Sequence, residues 1–220
     1  MDMGGLMARV SRLNKELSAR TTGLILFDAL HGYLHPRDPK KVQFLAERNI
    51  LPNLTRLLAG ARKVGMTSFY PAGAHAVDGS DSVERLTDTD MDLMPGGSAD
   101  KPIKPRFHKA SKDAEIAEEL KPLESDVVVP KQRWNSFHQT NLDLQFRCRG
   151  IDTIVIAGGS TDVGIASTVF AARDMDYGIV VIRDGCYSAR GNNNEFFMER
   201  VFPRMARVMN VDEAVALMRE

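Results

Sequence analysis

Short apolar runs alternate along the chain with segments whose apolar residues recur every three or four positions. Leu24-Ile25-Leu26-Phe27 is an unbroken apolar run ending at Asp28, the pattern of a strand buried on both faces. Pro52 to Lys63 places Leu54, Leu57, Leu58 and Ala61 on one helical face, with Gly65 just beyond as a stop. Met66 to Tyr70 reads as the next strand. Residues 71–105 are rich in Gly, Pro, Asp and Ser and keep no period, so they read as one long loop, of the kind used as lids or binding loops. Asp126 to Pro130 then predicts a strand leading into Lys131, and Thr140 to Arg149 a helix ended by Gly150. Thr153 to Ala157 is the clearest strand and runs into Gly158-Gly159-Ser160-Thr161, with a helix of small residues from Val163 to Met175. Ile179 to Ile182 is a further strand ending near Asp184. Asn194 to Arg204 predicts a helix, Ala206 to Met209 a last short strand, and Val211 to Met218 a final helix.

Strands separated by helices require crossover connections, so the sheet is expected to be mainly parallel with helices on both faces. The expected class is α/β, a three-layer sandwich with a sheet of about five or six strands. Leu6, Val10, Leu13 and Leu17 recur at helical spacing, so residues 1–22 read as an amphipathic helical arm and residues 23–220 as one domain. The arm either packs on a partner subunit or frays at the surface.

Composition narrows the function classes. The 220 residues carry 29 Lys+Arg and 29 Asp+Glu, a formal net charge of zero, which argues against a global grip on nucleic acid or anionic membrane. With 43% hydrophobic residues the chain can bury a full core, yet no apolar run approaches the ~20 residues of a membrane span. The two cysteines, Cys148 and Cys186, show neither CxxC nor zinc spacing, as in a reducing compartment. The expectation is a cytoplasmic, globular protein that binds a small molecule and neither nucleic acid nor membrane.

Ligands of open parallel sheets bind beyond the carboxyl ends of the strands. Asp28, Lys131 and the Ser160-Thr161-Asp162 turn all fall there, joining an acid, a base and a helix start that favours an oxyanion or carboxylate. Gly158-Gly159 lacks the spacing of a dinucleotide-binding loop.

The ordered series of Leu24 to Asp28, Glu115-Ile116 through Lys121-Pro122, Val127 to Lys131, Ser136-Phe137, Thr140-Asn141-Leu142, Ile156 to Asp162, Ala171 to Asp174, Tyr177 and Asp184 resembles the isochorismatase-like hydrolases. That superfamily includes cysteine amidohydrolases, nicotinamidases and true isochorismatases. The resemblance covers roughly residues 23–210 and implies a Rossmann-like sheet carrying an Asp–Lys–Cys site. Asp28 matches the acid/base and Lys131 its paired lysine. The nucleophilic cysteine belongs three residues after Thr161, where this chain has Gly164. Glycine has no side chain with which to attack a carbonyl carbon.

Three readings of Gly164 follow. The chain is an enzyme without a protein nucleophile, as true isochorismatases are, although Thr161-Asp162-Val163 looks more like the amidohydrolase pattern. It is a silent relative that binds a ligand or partner. Or a cysteine was replaced deliberately. In the first reading Asp28 is general acid/base, Lys131 positions and tunes it, water attacks, and amides at Val163, Gly164 and Ile165 meet developing negative charge.

By the same resemblance, His31, Tyr33, His75, Arg133, Trp134, Asn135 and Thr161 are candidate substrate contacts. An aromatic ring and a guanidinium beside Lys131 suit a planar acid, while packing of Trp134 under the long loop with a structural ion pair for Arg133 is the competing reading. Leu30 stands where many relatives have Gln. Ser160 and Thr161 are expected mainly as helix caps, with the Ser160–Thr161 peptide cis as in the family. Cys186 reads as a small buried filler and Cys148 as structural or surface. His31 and His35 have i,i+4 spacing but flank Gly32 and precede Pro36, and His75, His108 and His138 have no partner pattern. No metal and no cofactor are expected, and a homo-oligomer is.

Overall fold

The computed structural model describes residues 16–81 and 107–220. Six strands form one parallel sheet: β2 (Thr22–Phe27), β3 (Ser68–Gly73), β4 (Val127–Lys131), β5 (Thr153–Gly159), β6 (Gly178–Tyr187) and β7 (Arg207–Met209), in the order β4-β3-β2-β5-β6-β7. Two further short strands, β1 (Leu17–Ser18) and β8 (Met218–Arg219), pair in parallel outside this sheet. The helices are α1 (His31–Leu34), α2 (Pro39–Glu47), α3 (Ile50–Lys63), α4 (Leu142–Cys148), α5 (Ala166–Asp174), α6 (Asn193–Phe196) and α7 (Val211–Leu217).

The period of two along each strand divides the core. Leu24, Leu26, Val155, Ala157, Val180 and Ile182 face one side and pack with Leu54, Leu57, Leu58 and Ala61 of α3 and with Val211 and Ala214 of α7. Ile25, Phe27, Ile154, Ile156, Ile179 and Val181 face the other and pack with Phe146 of α4 and Val169 and Ala172 of α5. The result is the three-layer α/β sandwich expected from the strand–helix alternation. Pro130 is tolerated because β4 is an edge strand.

Local departures have identifiable causes. Leu17, the last apolar position of the predicted helical arm, lies in a strand because its backbone pairs with Met218; the other three positions fall outside the described residues. β3 starts later than the apolar run and continues through Pro71 to Gly73, where pairing with β4 carries it on and the Pro71 carbonyl accepts the Asp28 amide at 3.0 Å. So the long loop starts after Gly73, and its residues 82–105 lie outside the described residues. The helix after β5 begins with a wider π turn, Thr161–Ile165, ahead of α5. The cis peptide is Gly159–Ser160, one bond earlier than expected.

Candidate active site at the ends of β2 and β4

Asp28 follows directly on β2 and adopts a left-handed backbone, φ 45°, a conformation that Asp tolerates better than most residues. It is 8% exposed, and Lys131, the last residue of β4, is 5% exposed. The Lys131 ammonium donates to Oδ2 of Asp28 at 3.0 Å. Oδ1 is buried and has no hydrogen-bond partner among the described residues. Burial raises the Asp28 carboxyl above its usual range, and this outweighs the downward pull of Lys131 and of the backbone at Gly73. The pair therefore combines a carboxyl that holds its proton unusually well with one buried oxygen that no described residue engages.

Phe27 sits beneath this pair. It is 1% exposed, and the Lys131 ammonium lies over its ring, 4.5 Å from the centroid. The same ring abuts Gly164: a Cβ placed there would come within 3.0 Å of both Cζ and Cε1 of Phe27. The bare glycine is what lets the ring in.

Tyr187 closes the adjoining side at the end of β6. Its ring lies flat on Gly159, where a Cβ would again come within 3.0 Å of ring atoms. Burial, then the Asp28 charge, hold its phenol above the usual value, so it remains a hydrogen-bond donor.

The turn after β5 spends its polar groups internally. Neither Ser160 nor Thr161 caps the helix: the Ser160 hydroxyl donates to the Asp162 carboxylate, and Thr161, fully buried, donates to Asn194 Oδ1 at 2.7 Å. The Asn193 side chain also donates to Asp162, at 2.6 Å. Asp162 pays desolvation for this position, but the hydrogen bonds from Ser160, Asn193 and Ser188 win and hold its carboxyl below the usual range. The Val163 and Ile165 amides donate to the Ser160 carbonyl at 3.3 and 3.1 Å, so two of the three amides expected to meet developing charge are engaged by the turn.

The remaining candidates have partners of their own. Tyr33 stacks on Phe107 with centroids 4.3 Å apart. His31 opens α1 with its ring 5.0 Å from that of His35, which in turn meets Glu119 at 3.1 Å. His75 pairs with Asp81 at 3.2 Å. Arg133 turns back to the Gln132 carbonyl, Asn135 accepts the Phe137 amide, and Trp134 is 47% exposed. Leu30 is fully buried and bridges to Ile116. Cys186 is a buried filler whose thiol burial pushes up to about 12, and Cys148 is exposed. Among the described residues no three His, Cys, Asp or Glu side chains gather as a metal site, and no helix is long and apolar enough to cross a membrane.

A buried Asp–Lys pair at the carboxyl ends of a six-stranded parallel sheet is accompanied by a family match: the isochorismatase domain profile fits residues 22–213. The chain belongs to the isochorismatase family. Among its relatives, the family protein YecD of Escherichia coli O157:H7 is 28% identical over 204 residues, covering 90% of this chain and 96% of that one. The ureidoacrylate amidohydrolase RutB of Cronobacter turicensis is 28% identical over 212 residues, covering 86% and 83%. The solved structure of an isochorismatase family protein from Burkholderia thailandensis superposes with a TM-score of 0.72 at 25% identity, covering 90% and 95%. Membership places the chain in a superfamily of hydrolases of small substrates.

Phe27, Tyr187, Asn193 and Asn194 join the candidate residues only through the structure. An aromatic residue directly before the acid was the one available signal for Phe27.

Proposed function

We propose that the protein is a hydrolase without a protein nucleophile, in which Asp28 transfers the proton and water attacks a small substrate that is planar or carries a carboxylate. The observation that carries this reading is the buried Asp28–Lys131 pair with Oδ1 of Asp28 unengaged. Asp28 in its protonated form donates to the substrate, and as carboxylate it takes a proton from the attacking water. Lys131 fixes the carboxyl and moderates its charge. Gly164 offers no side chain, so no covalent enzyme intermediate forms there. The amidohydrolase named among the relatives supports including ureido and carbamoyl compounds, beside amides and vinyl ethers, in the panel to be tested.

The test is turnover of that panel in oxygen-18 water by the parent and by Asp28→Asn. The parent incorporates the label into product with no mass added to the protein, and Asp28→Asn is slower by roughly 100-fold or more. Equal rates for the two would remove Asp28 from the mechanism.

A silent, ligand-binding protein is the second reading, favoured by the internal hydrogen bonding of the turn after β5. It requires saturable binding of a panel member without turnover. The cytoplasmic homo-oligomer expected from the sequence belongs to the same proposal, and sedimentation of the purified protein tests the assembly.

A further inference from the structure

Phe27 touches both Lys131 and Gly164, and it is placed there by strand parity. Residues 25 and 27 of β2 point to the same layer, toward the α4 and α5 side. The ring face takes the Lys131 ammonium and the ring edge rests on the bare Cα of Gly164. A lysine on a flexible four-carbon stem is not oriented by a single hydrogen bond, and Asp28 supplies only one, to Oδ2. The aromatic face is the second support, and it lies in a buried place where water does not compete.

We infer that Phe27 is a positioning residue for the Asp28–Lys131 pair, its ring carrying the Lys131 ammonium and admitted to that place by the missing side chain at Gly164. This deepens the proposed function and rests on it for its relevance to catalysis. Phe27 and Gly164 then act as a unit. A methyl group at residue 164 displaces the ring and undoes the support as surely as deleting the ring does.

The experiment reads the Asp28 carboxyl without any substrate, so it fails or succeeds independently of turnover. The protein is labelled with carbon-13 aspartate, and the Asp28 signal is identified by its loss in Asp28→Asn. Its titration is followed in the parent, Phe27→Leu, Gly164→Ala and the double variant. The groups facing Asp28 are Lys131 from β4, the backbone at Gly73 in β3 and Tyr187 from β6, with Tyr33 of α1 facing Tyr187 in turn; all remain in every variant. Leucine keeps the site apolar while removing the aromatic face. A loosened ammonium lowers the carboxyl less, so the midpoint rises by about half a pH unit or more in Phe27→Leu. Gly164→Ala moves it in the same direction. The double variant matches Phe27→Leu alone, because the methyl then has no ring to displace. A midpoint that stays at the parent value in Phe27→Leu while the melting temperature falls makes Phe27 mere packing and overturns the inference. Shifts that add in the double variant also overturn it. If Gly164→Ala alone does not fold, Phe27→Leu and the double variant still decide between these outcomes.

Discussion

The end of β2 and the turn after β5 are neighbours, since Phe27 pairs with Gly158 in the sheet, yet they treat their polar groups in opposite ways. At the end of β2, Asp28 is buried with one oxygen unengaged and its carboxyl raised. After β5, Asp162 is surrounded by donors from Ser160 and Asn193, and its carboxyl is lowered. Two aspartates just beyond adjacent strands thus differ in kind: one holds its proton above the usual range, the other is a hydrogen-bonded anion that ties the turn to α6. Under the proposed function, the difference puts the proton transfer at the ends of β2 and β4 and leaves the turn after β5 to shape the site.

The largest effect expected from breaking this contrast comes at Lys131. Lys131→Met removes the cation from a buried pair, and stability toward urea at neutral pH falls by about 3 kcal/mol. Stability equal to the parent would show the pair to be dispensable to the fold. Next is Gly164→Cys. The added side chain meets the Phe27 ring, costs about 2 kcal/mol by overpacking, and confers no amidase activity alone. Pairing it with Phe27→Val relieves the crowding, and a single variant as stable as the parent would contradict the tight packing at Gly164.

Replacing the fixed anion, Asp162→Asn, loses about 1.5 kcal/mol while turnover changes less than tenfold. The two aspartates also have opposite pH signatures. Asp28 is raised in the fold, so its contribution to stability is complete below the unfolded value of about 3.9 and is lost as pH rises through the folded value. Asp162 is lowered, so its contribution is present above about 3.9 and is lost as pH falls through the folded value. Urea unfolding from acid to neutral pH should show Asp28→Asn removing the loss on the rising limb and Asp162→Asn removing the loss on the acid limb. If both variants flatten the same limb, the contrast is wrong. The smallest effect is Thr161→Val, which gives up the bond to Asn194 for about 1 kcal/mol in the same measurement.

The strands that carry the site are legible in the sequence because each is a short apolar run ending in a polar residue, and Asp28 and Lys131 are those ends. Helix α2 was missed although its signal is present: Asp38 accepts the Lys40 amide as an N-cap and Pro39 follows at the first helical position. The short α1 was missed because Gly32 and Pro36 argued against a helix that only four residues needed to form. What a single sequence does not display is which distant residues fill the same space. Phe27 reads as core from its neighbours, and only the fold puts its ring between Lys131 and Gly164. Tyr187 likewise gains its place from the absence of a side chain at Gly159.

Strand β2 lies in the middle of its sheet, although it is the first of the six along the chain. β3 joins it from nearby in the chain, but Lys131 is 103 residues from Asp28, and β5 is later still. Contacts of that separation close slowly, because the intervening chain must lose its freedom before they form. Until β4 and β5 have joined the sheet, Asp28 is without the burial and the ammonium that set it apart. The acquisition of its raised proton affinity accompanies folding, readable as proton uptake when the refolding chain is held just above the ordinary aspartate range.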